Sequence, residues 1–329
     1  MDDPKEKIYT SGDSFRAKAE SQQRRYRAET LKIRAGDWGH FLTQEDADLG
    51  KNFVNEAAYQ AAIKRKESGK GVADRTFYNM LSSQAMCFNI FILFDLHKDI
   101  AAKVLSQFFP SLKSVIEIEI EHTPDNDIFR DQSGRGGVDC DVLLRGKMAN
   151  DRPIIIILET KFVEQEFSIC GFRKSEREKH NQIMCLDDIC LREKSDSCLY
   201  VSKKNYKYWD RSRKYNILKS NALPDRGCPF AGPLWQLWVN FTLAHSEANS
   251  YNNSEAYFGI IAPQGNKRLL GDDQSPKIID EFKLLLQKPQ NVVYIDSDQL
   301  ILSMKDCVSQ NKPELSEWAD KLIARYIVT

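Results

Sequence analysis

Three features of the chain predict an α/β fold with a mixed, partly parallel central sheet flanked by helices. Apolar runs of strand length alternate with longer segments of helical period, the pattern that builds a sheet covered by helices. Residues 154–158 are apolar without a break, as expected of a central strand buried on both faces. Residues 115–122 (VIEIEIEH) alternate strictly between apolar and charged, as a half-solvated strand does. At 329 residues, the chain is long enough for one elaborated domain or two.

The elements follow in order. Residues 15–34 read as an amphipathic helix with Gly36 as its stop, and residues 52–68 as a helix broken by Gly69-Lys70-Gly71. Residues 79–96 are apolar around most of a helical circumference, which predicts a buried packing helix with Gln84 and Asn89 as polar members needing partners. A helix over 99–109 is closed by Pro110. In the strand that follows, Ile116, Ile118 and Ile120 are expected on one face, with Glu117, Glu119 and Glu121 on the other. Strands are expected at 138–144, 153–161, 257–263 and 291–295, and helices at 234–244, 277–286 and 314–326. Residues 168–194 read as partly helical. These divide the chain into a helical N-terminal extension (1–75) and a main domain (76–329) carrying a cysteine-containing basic insertion around 168–228.

The chemistry concentrates at 138–167. The apolar strand ends abruptly in Glu159-Thr160-Lys161, and alternation sends Glu159 and Lys161 to one side. The preceding strand carries Asp141, with Asp139 competing on the same face. Two carboxylates held close together repel unless a cation lies between them. Mg²⁺ (or Mn²⁺) suits that place, because it takes oxygen ligands and keeps waters for a phosphate substrate. Asp141 and Glu159 are therefore candidate metal ligands, with the Thr160 carbonyl as a further one. Lys161 is the candidate to orient or deprotonate the attacking water, or to offset charge on the phosphate. The bland alternative is a strand end capped by a solvated Glu–Lys pair.

This arrangement resembles the PD-(D/E)xK nuclease superfamily, with Asp141 as the motif aspartate and Glu159-Thr160-Lys161 as ExK; Cys140 stands where the motif has proline. The chain is also similar to an uncharacterised family of restriction-endonuclease type within that superfamily, through five elements in order. They are Ser82-Ser83-Gln84 with Asn89, Glu121-His122-Thr123-Pro124, Asp141, Glu159 to Glu164, and Gln236-Leu237 with Asn240. The resemblance implies a restriction-endonuclease-like core and a metal-dependent DNA endonuclease. Asp141, Glu159 and Lys161 would be catalytic, Glu121 an auxiliary acid, and Gln84, Glu164 and Gln165 secondary candidates.

Residues 203–219 interleave basic and aromatic residues, which marks Lys203, Lys204, Lys207, Arg211 and Arg213 as candidate DNA contacts. The alternative is an exposed basic loop whose rings pack onto the core. Formal net charge is zero, which argues against coating nucleic acid by bulk electrostatics but leaves a local basic surface open. Five of the eight cysteines fall between Cys170 and Cys228 without CxxC spacing. Packed thiols are favoured over zinc, while an Fe–S cluster, as some superfamily nucleases carry, stays open. A repair or recombination nuclease with such a site, and a non-catalytic binding module on the same fold, are the rival readings. No apolar run spans a membrane and the N-terminus is polar, so a cytoplasmic location is expected. Cutting both strands of a duplex would call for a homodimer.

Overall fold

A computed structural model of the chain describes residues 14–69, 71–131, 138–174, 183–185, 190–191, 195–271 and 276–328. Five strands form one sheet in which spatial order follows chain order: β1 (Leu112–His122), β2 (Cys140–Met148), β3 (Pro153–Thr160), β4 (Glu255–Ala262) and β5 (Val292–Asp296). β1, β2 and β3 are antiparallel neighbours, whereas β3, β4 and β5 run parallel. The parallel connections need crossovers, and helices supply them. The expected segment 168–194 lies largely outside the described residues, and residues 133–137, glycine-rich in sequence (SGRGG), lie wholly outside them.

β3 is covered on both faces, as its unbroken apolar run predicts. Ile154, Ile156 and Leu158 enter one core with α3 (Ser83–Leu96), α4 (Lys98–Leu105), α7 (Ser297–Asn311) and α8 (Ser316–Tyr326). Ile155 and Ile157 enter a second core built around α5 (Leu234–Ser250) and α6 (Lys277–Leu284). Alternation along one strand thus joins two helical layers through the sheet. Among the described residues, no helix is long and apolar enough to cross a membrane.

The helices before residue 75 lie on the first layer. α1 (Ser14–Arg25) packs against α8, where Gln22 and Gln23 donate to the Ala324 and Arg325 carbonyls at 2.5 and 2.6 Å. The first helix changes to a wider π turn at Tyr26–Leu31 and stops at left-handed Lys32, four residues before Gly36. α2 (Glu56–Glu67) starts on the Asn55 cap and packs against α3. Asn89 in α3 accepts from the Val54 amide and donates to Asn52 and Tyr326, so it ties these layers together.

Two expectations are corrected. Ile116 does not share the buried face of Ile118: a register shift between Val115 and Glu117 rotates it outward, to 43% exposure, and brings Val115 in. α7 was not expected, yet Asp296 caps it and Leu300, Ile301, Met304, Cys307 and Val308 form its buried face.

Candidate active site

The site forms where β2 begins and β3 ends, beside the last residues of β1. Lys161 follows β3, and its amide still donates to the Ile261 carbonyl of β4, which keeps it in register. Its ammonium is therefore on the Glu159 side, and Lys161 Nζ donates to Glu159 Oε1 at 2.7 Å. Both side chains are buried. The rest of the Glu159 carboxylate is held by α5, since Gln236 Nε2 donates to Oε1 and Asn240 Nδ2 to Oε2, each at 2.7 Å. One helical turn separates these amides, so a single face of α5 presents both.

Asp141 Oδ2 accepts the Thr160 amide at 2.6 Å, which pins the β2 carboxylate against the end of β3. Its carboxyl is pushed well above the ordinary aspartate range by loss of hydration, then by the Glu159 and Glu121 charges, against the opposing pull of Lys161. Lys161 is shifted upward: burial works against its charge, but the Glu159, Glu164 and Asp141 carboxylates outweigh it.

Glu121 closes β1 in a left-handed conformation (φ 56°), uncommon for a non-glycine residue, and is buried. Gly71 passes so close that a Cβ there would lie 3.3 Å from the Glu121 Cβ. Burial, followed by the Glu159 and Asp139 charges, raises the Glu121 carboxyl to about 8, while Gln84 and Arg65 oppose the shift. The next residue, His122, lies between Glu119 and Glu247, its Nε2 3.0 Å from Glu247 Oε1.

The trailing residues of the motif brace this end. Glu164 accepts from Ser83 Oγ at 2.5 Å and from the Phe162 amide at 2.7 Å, while Asn266 holds the Phe162 and Glu164 carbonyls. Gln84 accepts from the Ala73 amide and donates to the Gly71 carbonyl, fixing the loop behind Glu121. Gln165 follows Glu164 at the exposed rim.

The donor set suits a hard divalent cation. Asp141 and Glu159 offer carboxylate oxygens, and the buried Oε1 of Glu121 behind them has no hydrogen-bond partner. Mutual repulsion among these acids is what such an ion would relieve. Among the described residues, no three His, Cys, Asp or Glu side chains are placed to share one metal ion. Mg²⁺ is commonly held by one or two carboxylates, with water and substrate completing its shell.

Elsewhere, Cys170, Cys185, Cys198 and Cys228 line one small enclosed cavity with Trp209, Trp235 and Trp238. In the basic stretch, Lys203 and Lys204 are exposed at the end of the helix Leu199–Lys204. Lys207 and Arg213 pair with Asp210, and Arg211 donates to the Ile128 and Asp127 carbonyls. Tyr208 and Trp209 are buried, and Tyr206 stacks on Tyr200, so these rings pack onto the protein. Sequence reasoning did not anticipate Glu247 as a partner of His122, and it gave Gln236 and Asn240 no role; residues 125 positions apart leave no local pattern.

A five-stranded mixed sheet with helices on both faces, carrying such a cluster at the end of its antiparallel pair, is the α/β architecture of restriction-endonuclease-like proteins. The chain belongs to the PD-(D/E)XK nuclease superfamily, whose family model matches residues 10–328. Its members are generally nucleases, and they typically use divalent metals such as Mg²⁺ or Mn²⁺. No curated protein and no solved structure is significantly similar to the chain.

Proposed function

We propose that the protein is a metal-dependent DNA endonuclease that hydrolyses phosphodiester bonds. The observation that carries this reading is the convergence of Asp141, Glu159 and Lys161 at one strand end, with Lys161 Nζ 2.7 Å from Glu159. Asp141 and Glu159 would hold Mg²⁺ or Mn²⁺, which when bound supplies Lewis-acid stabilisation and activates water. Glu121 acts as an auxiliary acid behind them.

Lys161 is kept cationic by its carboxylate neighbours, so its part is to orient the attacking water as a donor and to offset charge on the phosphate. Gln236 and Asn240 fix the Glu159 carboxylate so that it does not rotate during turnover. The exposed Lys203 and Lys204, with Lys207, Arg211 and Arg213 beside them, are proposed to follow the DNA backbone. A cytoplasmic setting is part of this reading.

The test is cleavage of plasmid and single-stranded DNA with Mg²⁺, with Mn²⁺ and with EDTA. Wild type is compared with Asp141→Ala and Lys161→Ala. Metal-dependent cutting that both substitutions abolish, in folded protein, is the expected result. Cutting that persists in EDTA or in Lys161→Ala would overturn the assignment.

A further inference from the structure

The last turn of α2 is basic, with Lys64, Arg65 and Lys66 in succession. Cations suit the carbonyl end of a helix, which accounts for a basic last turn but not for where Arg65 goes. Its side chain leaves the helix for the end of β1, where Nη2 donates to Thr123 Oγ1 at 2.7 Å. That brings it beside Glu121: a Cβ on Gly71 would lie 3.4 Å from Glu121 Oε2 and 3.6 Å from Arg65 Nε. The glycine leaves room for both groups, and Gln84 fixes it there by donating to the Gly71 carbonyl.

The charges on this turn are unequally paired. Lys66 pairs with Asp74 at 2.7 Å. Lys64 is exposed and, among the described residues, makes no ion pair or side-chain hydrogen bond. Arg65 has its short bond to Thr123 and a long one to Ser68 at 3.5 Å, while Nε has no partner. No described carboxylate is close enough to form an ion pair with it. Glu121 offsets part of its charge across the gap, and the side chain is only half-buried.

α2 lies on the first core layer, against α3, whereas the basic stretch 203–213 belongs to the second, with Tyr208 and Trp209 in that core. The carboxylates stand at the edge of the sheet between the two layers. Phosphates are repelled by such acids, so a polyanion crossing that edge needs cations on both flanks.

Taking the site to be that of a nuclease, we propose that the end of α2 is the second half of its nucleic-acid-binding surface. Arg65 contacts the backbone phosphate nearest the site on this flank, and Lys64 one farther out. The strand crosses the edge of the sheet, held by cations from both layers, with Asp141, Glu159 and Lys161 facing the phosphate between them. The N-terminal helices are thus part of the substrate path.

The test measures binding of labelled duplex and single-stranded DNA in EDTA, where metal-dependent hydrolysis is excluded, over a range of salt. Each cation on a phosphate contributes about one to the slope of log affinity against log salt concentration. Lys64→Gln should lower the slope by about one, and Lys64→Gln with Arg65→Gln by about two. Arg65→Lys, which keeps the charge, should keep the slope. Lys288→Gln is the control: Lys288 pairs with Glu255, which lies beside Ile154 at the opposite end of the sheet from the site, and the slope should not move. Thermal melting checks folding. Lys64→Gln removes no contact within the protein, so it keeps the test intact if the double variant misfolds. A slope unmoved in Lys64→Gln and in the double variant, or lowered as much by Lys288→Gln, would overturn the proposal. Wild type that binds neither form of DNA would sink the nuclease reading with it, whereas wild-type cleavage with an unmoved slope would sink the α2 surface alone.

Discussion

Asn240 donates its amide to the Glu159 oxygen opposite the one that Lys161 and Gln236 share, so both oxygens of this buried carboxylate meet a protein donor, two on Oε1 and one on Oε2. Removing a partner that orients a metal-binding carboxylate typically costs about 10–100-fold in affinity or activity. Asn240→Ala should therefore lower kcat/KM by about that factor. Asn240→Asp should do worse, because it sets a second carboxylate against Glu159. Cleavage kinetics on one DNA substrate, alongside melting curves, check this; wild-type rates in Asn240→Ala would leave Asn240 a packing residue.

The Ser83–Glu164 contact joins the start of α3 to the end of the motif. Ser83→Ala leaves Glu164 Oε1 without its 2.5 Å donor, a loss expected to destabilise the fold by about 1–3 kcal/mol. Because Glu164 also sustains the Lys161 charge, cleavage should fall as well. Urea unfolding and a cleavage assay on the same preparation give both answers.

Arg325 is fully buried and donates to Asn52, to the Gln23 side chain at 3.2 Å and to the Met80 carbonyl. Arg325→Ala should cost about 3–5 kcal/mol, since it strands these acceptors in the interior. Arg325→Lys should recover little, as an ammonium lacks the planar fork that reaches several acceptors at once. A denaturant midpoint unchanged in Arg325→Ala would show that the guanidinium contacts add nothing to the joint of α1 and α8.

Two histidines set an acid limit to stability. Burial, then the charge of Lys288, lowers His245 to about 4; burial, then Arg16 and Arg24, lowers His40 to about 4. Both are neutral in the fold but take up protons near pH 6.5 once unfolded. Their contribution is full above that value and is lost as pH falls through about 4, with the unfolded chain binding the extra protons. About 3 kcal/mol each should disappear between these limits. His245→Phe should flatten the stability-against-pH curve measured by chemical denaturation, and an unaltered slope would exclude His245.

Much of this was legible in the sequence because it is local. The strand spans, the two-face burial of 154–158 and the shared side of Glu159 and Lys161 follow from a period of two and a change from apolar to charged residues. α7 was readable in principle from Leu300, Ile301, Met304, Cys307 and Val308, but it follows β5 with no turn residues between them. The exposure of Ile116 was not readable, because a bulge is decided by the partner strand. The approach of Arg65 to Thr123 and Glu121 was also hidden: α2 and the end of β1 are separate segments that only the tertiary fold brings together.

The two register shifts in β1 also govern how molecules meet one another. β1 is an outer strand of the sheet, and an outer strand is a template on which another chain can add itself. Its irregular pairing, with Lys113, Glu117 and Glu119 along it, spoils that template twice, by kinking the row of amides and by charging it. Sheet-to-sheet polymerisation through this edge is thereby disfavoured.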